Sequence, residues 1–194
     1  MDKFVPSRED AYNLLREYVQ EPALINHSLM VESVMGHFAE LLGEEDIEKW
    51  KVIGLIHDLD FEKYPEEHCK VTKEILEKEN WAEDYIRAVM SHGWEICTDV
   101  EPVHPMEKVI YTIDELTGLI YATALMRPSK SLEDLKAKSV KKKWKQKSFA
   151  ASIDRETISK GIEMLDMDRD QVIKETIEGM KAVAKEIGLK TNID

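Results

Sequence analysis

The chain has 194 residues, of which 43% are hydrophobic and 34% charged, with a formal net charge of −12. That length suits one packed domain with a small annex and excludes two large ones; the composition excludes a disordered chain. The negative charge excludes a surface given over to nucleic acid or anionic membrane, and no stretch approaches the roughly 18 apolar residues of a membrane span.

In chain order the pattern is helical almost throughout. The opening MDKFVPSRED lacks the apolar run of a secretory signal, so cytoplasmic residence is expected. Ser7 is placed to cap a first helix whose opening turn carries Glu9 and Asp10, with Tyr12, Leu15 and Val19 on one face and Pro22 as its end. A second helix is predicted over about 24–42, stopped by Gly43, and a third over about 46–57. Pro65 opens a fourth over 66–78. A fifth covers 82–91, ending at His92-Gly93, and after an irregular stretch over 95–103 Pro105 opens a long apolar helix over 106–125.

Further helices are predicted over 132–147, 155–165 and 170–187. With no period-2 strand pattern the fold class is all-α: a helical core over 1–127 and a small C-terminal helical extension over 128–194, with a basic segment at 127–147, packed on the core. Cys69 and Cys97 form no CxxC and are expected as free thiols.

The chemistry is concentrated at His57-Asp58, which closes the apolar run Val52-Ile53-Gly54-Leu55-Ile56. An imidazole and a carboxylate left unpartnered in a dry interior would cost several kcal/mol, and a cation is the economical remedy. His27 lies upstream, and His92 and Asp114 lie downstream in similar settings. We expect these five, with His68 as a sixth, to converge on a metal centre. Nitrogen and carboxylate donors without thiolate suit Mn, Fe, Co, Ni or Zn rather than a purely structural zinc. His57 and Asp58 stand about 100° apart on a helix, so both reach one cation only if the helix loosens there. His37 and His104 read as hydrogen-bonded core residues. Glu115, beside Asp114, reads either as a base behind the metal ligands or as an ordinary exposed acid.

His27, then His57-Asp58, then Asp114, together with the runs GLIHDLD, HDLDFEKYPEEH, SHG, MEKVIYTIDELTGLI and RPSKS, resembles the HD superfamily of metal-dependent phosphohydrolases over about residues 22–127, in a branch of predicted hydrolases. The resemblance implies that His27, His57, Asp58 and Asp114 bind a first metal and that Asp58 bridges to a second held by His68 and His92. Leu59-Asp60 stands where the common form has Ile-Gly. The Gly-Tyr-Pro element of the cyclic-dinucleotide phosphodiesterase branch is absent, which argues against that substrate.

The expected activity is hydrolysis of a phosphomonoester or phosphodiester by metal-activated water, with one or two divalent ions as cofactor. Besides Asp58, Asp60 and Glu62 are candidate catalytic residues that position water or move protons; their competing reading is that of loop acids in surface hydrogen bonds. Arg127, Lys130 and Lys141 of the basic segment are candidate substrate-binding residues, and Ser129 and Ser131 are candidate caps that would aim a helix N-terminus at phosphate. The 95–103 stretch is a candidate lid or specificity wall. Trp94 reads as a packing residue, with base stacking as the alternative. The expected partner is a small phosphorylated substrate, with no membrane and no nucleic acid, and a homodimer is compatible with the chain. Two rivals stand beside this reading: a diiron oxygenase with the same ligands, and a non-catalytic module that binds nucleic acid or another anion through the basic segment.

Overall fold

Capping chemistry sets most of the helix boundaries in the computed structural model, which describes residues 3–190. Helix α1 (Arg8–Tyr18) starts with a reciprocal capping box between Ser7 and Asp10. Pro22 does not end it: Val19 leaves the helix in extended backbone, and Pro22 opens α2 (Pro22–Leu42), where its missing N–H costs nothing. Gly43, at φ +73°, ends α2 in the left-handed region. Helix α3 (Ile47–Ile56) is capped by the Asp46 carboxylate, which accepts the N–H of Lys49.

The expected fourth helix is broken. A single 3-10 turn (Pro65–Glu67) is followed by His68 and by Cys69 at φ +68°, and only then does α4 (Lys70–Lys78) begin. The break has a cause: His68 turns inward to Asp60, which a continuous helix would prevent. Helix α5 is Glu83–Ser91. Helix α6 (Pro105–Leu125) begins with a box in which His104 Nδ1 accepts the N–H of Met106 while the Glu107 carboxylate accepts that of His104.

Of the C-terminal helices, α8 (Arg155–Leu165) has the expected bounds, while α7 (Ala137–Trp144) and α9 (Arg169–Lys181) are shorter than the periodicity suggests. Residues 128–136 make turns in which Ser129 and Ser131 bond to Asp134 and to the Glu133 N–H, so the serines cap no helix. The α7–α8 connection wraps around Arg155, whose guanidinium donates to the carbonyls of Trp144, Phe149, Ala150 and Ile153. Among the described residues only isolated β-bridges occur, at Phe4–Trp81 and Trp94–Thr98, so the protein is all-α.

Helix α2 is central and packs on α3, α6 and α9, while α8 lies along α6 and α5 touches both α3 and α6. One apolar core runs through these elements, with Phe38, Trp50, Ile53, Ile110 and Ile113 buried. Helices α2 and α3 meet where α3 has no side chain. A methyl on Gly54 would stand 2.9 Å from both the Val31 carbonyl oxygen and Met35 Cγ. That approach places the end of α3 against the middle of α2. No helix among the described residues is long and apolar enough to cross a membrane.

Candidate metal centre

The helix does loosen where the sequence requires it. α3 ends at Ile56, and residues 57–63 form a run of turns, so His57 and the next residue leave the helical repeat and face one point. His27 reaches that point from α2 and Asp114 from α6. His27 Nε2 stands 2.9 Å from Asp114 Oδ1 and 3.2 Å from His57 Nε2. Asp58 Oδ2 lies 3.6 Å from His27 Nε2 and 3.4 Å from His57 Nε2, and His57 Nε2 is 3.5 Å from Asp114 Oδ1.

The other carboxylate oxygen of Asp58 faces a different pair. Oδ1 is 3.6 Å from His68 Nε2 and 3.5 Å from His92 Nε2, and those two nitrogens are 3.1 Å apart. Asp58 therefore divides its oxygens between the set His27, His57, Asp114 and the set His68, His92.

Each buried imidazole has its proton placed by its far nitrogen. His57 Nδ1–H donates to the Gly54 carbonyl at 2.8 Å and His92 Nδ1–H to the Val89 carbonyl at 2.5 Å. His68 Nδ1–H donates to Asp60 Oδ1 at 2.8 Å. A neutral ring with its proton on Nδ1 presents a bare lone pair at Nε2, and the Nε2 atoms of His57, His68 and His92 converge with the Asp58 and Asp114 oxygens and with His27 Nε2, whose proton no far-nitrogen bond places. Lone pairs crowded this closely repel unless a cation lies among them. Around metal bonds of about 2.1 Å, neighbouring donors stand about 3.0 Å apart in an octahedron and about 3.4 Å in a tetrahedron, and the separations here span that range. The residues fit divalent metal.

The electrostatics agree. Burial opposes charge on His57, but the adjacent Asp58 and Asp114 carboxylates overcome it and hold its pKa well above the ordinary value. Burial opposes charge on Asp58 and Asp114 too, yet the imidazoles hold both well below the carboxylate range. For His68, burial is outweighed by the bond to Asp60 and the field of Asp58, which raise it. The site is built to hold positive charge.

The ligands open on a cavity of about 340 Å³, walled by Leu24, Phe61, Ile96, Tyr111 and Ile153, with Ser152 and Thr157 at the α8 end. Ile96 and Cys97 of the irregular stretch form part of this wall. Trp94 does not line the cavity: it packs against the Tyr111 ring, with Lys160 over its face. Glu115 does line it, as the periodicity left open. Burial and the neighbouring Asp114 push its carboxyl up to about 7, against a weak bond from the Asp154 N–H.

Several expected roles do not match the geometry. Asp60 is fully buried with both oxygens occupied, one by His68 and the other by the N–H of Thr72, so it positions His68 instead of handling water. Glu62 accepts the N–H groups of Gln20 and Glu21, which ties the loop to the start of α2 outside the cavity. Arg127 is held by Asp134 and Ser139, and Lys141 by Asp170. Lys130 sits in a turn at φ +43°. None of the three lines the cavity, and neither lysine nor arginine is among the residues that do.

Cys69 and Cys97, expected free, are joined as a disulfide beside His92. His37 pairs with Glu175, and His104 caps α6, both apart from the metal donors. Arg155, which shapes the wall carrying Ser152 and Ile153, had no signal in the sequence, because its partners are loop carbonyls.

No curated protein and no solved structure matches the chain. The HD domain family matches residues 24–119, the span that carries all six proposed ligands. This family is one of metal-dependent hydrolases, and its domain implies divalent metal. Through residues 24–119 the chain belongs to the HD domain family.

Proposed function

We propose that the chain is a metal-dependent phosphohydrolase acting on a phosphoester of a small phosphorylated metabolite or nucleotide, with divalent ions held on the two sides of Asp58. The supporting observation is the division of the Asp58 oxygens between two donor sets, with Oδ2 toward His27 and His57 and Oδ1 toward His68 and His92. When bound, such a pair lowers the pKa of a coordinated water toward about 7 and draws charge from phosphoryl oxygens.

The rest falls to the chain's own side chains. The bonds from His57 to Gly54, His92 to Val89 and His68 to Asp60 fix the rings, so that their Nε2 atoms would receive an ion without reorganising. Glu115, on the cavity wall with its carboxyl pushed up to about 7 by burial and the Asp114 charge, is the side chain placed to pass a proton to the leaving oxygen. Leu24, Phe61, Ile96 and Ile153 exclude water and pack on the organic part of the substrate. With no lysine or arginine on the wall, bound cations would have to take the phosphoryl charge, which suits a single phosphoryl group on a small, largely neutral body.

The test is to load the chelator-stripped protein with Mn, Fe, Co, Ni or Zn and assay a panel of phosphomonoesters and phosphodiesters. Hydrolysis that is lost in Asp58→Ala supports the reading; a fully loaded protein that cleaves none of the panel contradicts it. One observation favours a diiron oxygenase instead: the same largely apolar wall without a cationic side chain. Oxygen uptake by the iron-loaded protein in the presence of an organic substrate would support that alternative.

A further inference from the structure

The disulfide lies at a place that the metal reading does not use. Cys69 directly follows His68, and Cys97 closes the turn after His92, in which the N–H groups of Ile96 and Cys97 both bond to the Gly93 carbonyl. The bridge thus ties together the two segments that carry the second histidine pair. Gly93 gives it room, since a methyl there would collide with both sulfurs. Cys69 is fully buried at φ +68°, and its Sγ lies 3.9 Å from His92 Nε2. Donor atoms of His68, Cys69 and His92 lie within 4.8 Å of one another.

We propose that Cys69 is a redox-controlled ligand of the second metal position. With the disulfide formed, that position is held by His68, His92 and Asp58 Oδ1 and keeps one place free for water or substrate. On reduction the Cys69 thiolate takes the free place. Two nitrogens, one oxygen and one sulfur complete a tetrahedral set, the closed arrangement that zinc favours and that leaves no room for a reacting water. Reduction then turns an open centre into a closed one with higher zinc affinity. The proposal rests on the binuclear reading given above.

The chemistry balances. An external dithiol attacks the bridge through a mixed disulfide; its two electrons cleave the Cys69–Cys97 bond, and the dithiol leaves as its own disulfide. The two sulfurs each take a proton, and the Cys69 thiol releases its proton to solvent as it binds the cation. The bridge can be attacked at Cys97, which is exposed and borders a groove lined by Lys70, Lys73 and Arg87 outside the metal cavity.

Cobalt(II) substitution tests this directly, since a thiolate ligand gives a sulfur-to-cobalt charge-transfer band in the near ultraviolet. The samples are oxidised protein, protein reduced with a dithiol that is then removed anaerobically, Cys97→Ser, which leaves Cys69 a thiol, and Cys69→Ser. Binding of the first cobalt equivalent at the His27 set reports that each variant is folded. The band is expected in reduced protein and Cys97→Ser and absent from the other two, with zinc held about tenfold or more tightly in the two thiol forms by chelator competition. A second cobalt bound without the band in both thiol forms overturns the cysteine ligand and leaves the binuclear site standing. A second cobalt that binds in no form overturns the binuclear reading, and the proposal with it.

Discussion

The Asp60 carboxylate receives the Nδ1–H of His68 at 2.8 Å and, through its other oxygen, the N–H of Thr72 at 2.8 Å. A buried acid next to the metal-binding pair thus fixes a ring and a helix start together. Asp60→Asn keeps one acceptor and turns the other into a donor, so one of the two bonds is lost. Metal affinity at the His68–His92 position is expected to fall about 10- to 100-fold while the His27 position keeps its ion. Titration calorimetry on both proteins checks this; equal loss at both positions would contradict the assignment.

The Gly54 carbonyl orients His57, and the missing side chain lets α3 meet α2. Gly54→Ala places a methyl 2.9 Å from the Val31 carbonyl oxygen, so α3 must back away. The variant is expected to lose about 1–3 kcal/mol of stability by overpacking and to bind metal more weakly at the His57 side. Denaturant unfolding and metal content read the two effects separately.

Glu115 adjoins a ligand but lines the cavity as well. Glu115→Gln removes the proton donor while preserving size. Under the phosphohydrolase reading, kcat is expected to drop about 10²- to 10⁴-fold with metal content unchanged, and less for substrates whose leaving group needs no proton. An unaltered kcat on a poor leaving group would remove Glu115 from the chemistry.

Asp154 caps α8 at the edge of the cavity. Burial opposes its charge, but the N–H groups of Thr157 and Glu156 and the Thr157 hydroxyl hold its carboxyl below the ordinary value of 3.8. A carboxyl lowered in the folded state contributes stability that is full above its unfolded pKa and lost as pH falls through the folded one. Asp154→Ala is expected to cost about 0.5–2 kcal/mol at neutral pH. The gap in Tm between variant and parent should narrow once the pH drops below the usual carboxylate range; a gap that stays constant into strong acid would contradict the capping role.

Much of the fold and the ligand set is legible in the sequence because the signals are local. Ser7, Gly43 and Pro105 punctuate helices wherever they occur, and His57-Asp58 at the end of an apolar run is anomalous by itself. Less legible is whatever depends on who meets whom. Asp60 and Glu62 have the same chemistry in sequence, but one points into the core toward His68 and the other out to the start of α2. Arg127 and Lys141 look like free cations until Asp134 and Asp170 fold onto them. The break at His68 arises from its bond to Asp60, and the Cys69–Cys97 pair from the turn after α5; no helical period records either contact.

Asp58 shared between the two donor sets implies a definite metal stoichiometry. Elemental analysis after reconstitution, on wild type and Asp58→Ala with folding checked by circular dichroism, should find two divalent ions per wild-type chain and loss of both in the folded variant. A single ion in the wild type, or two ions retained without Asp58, would contradict the bridging carboxylate.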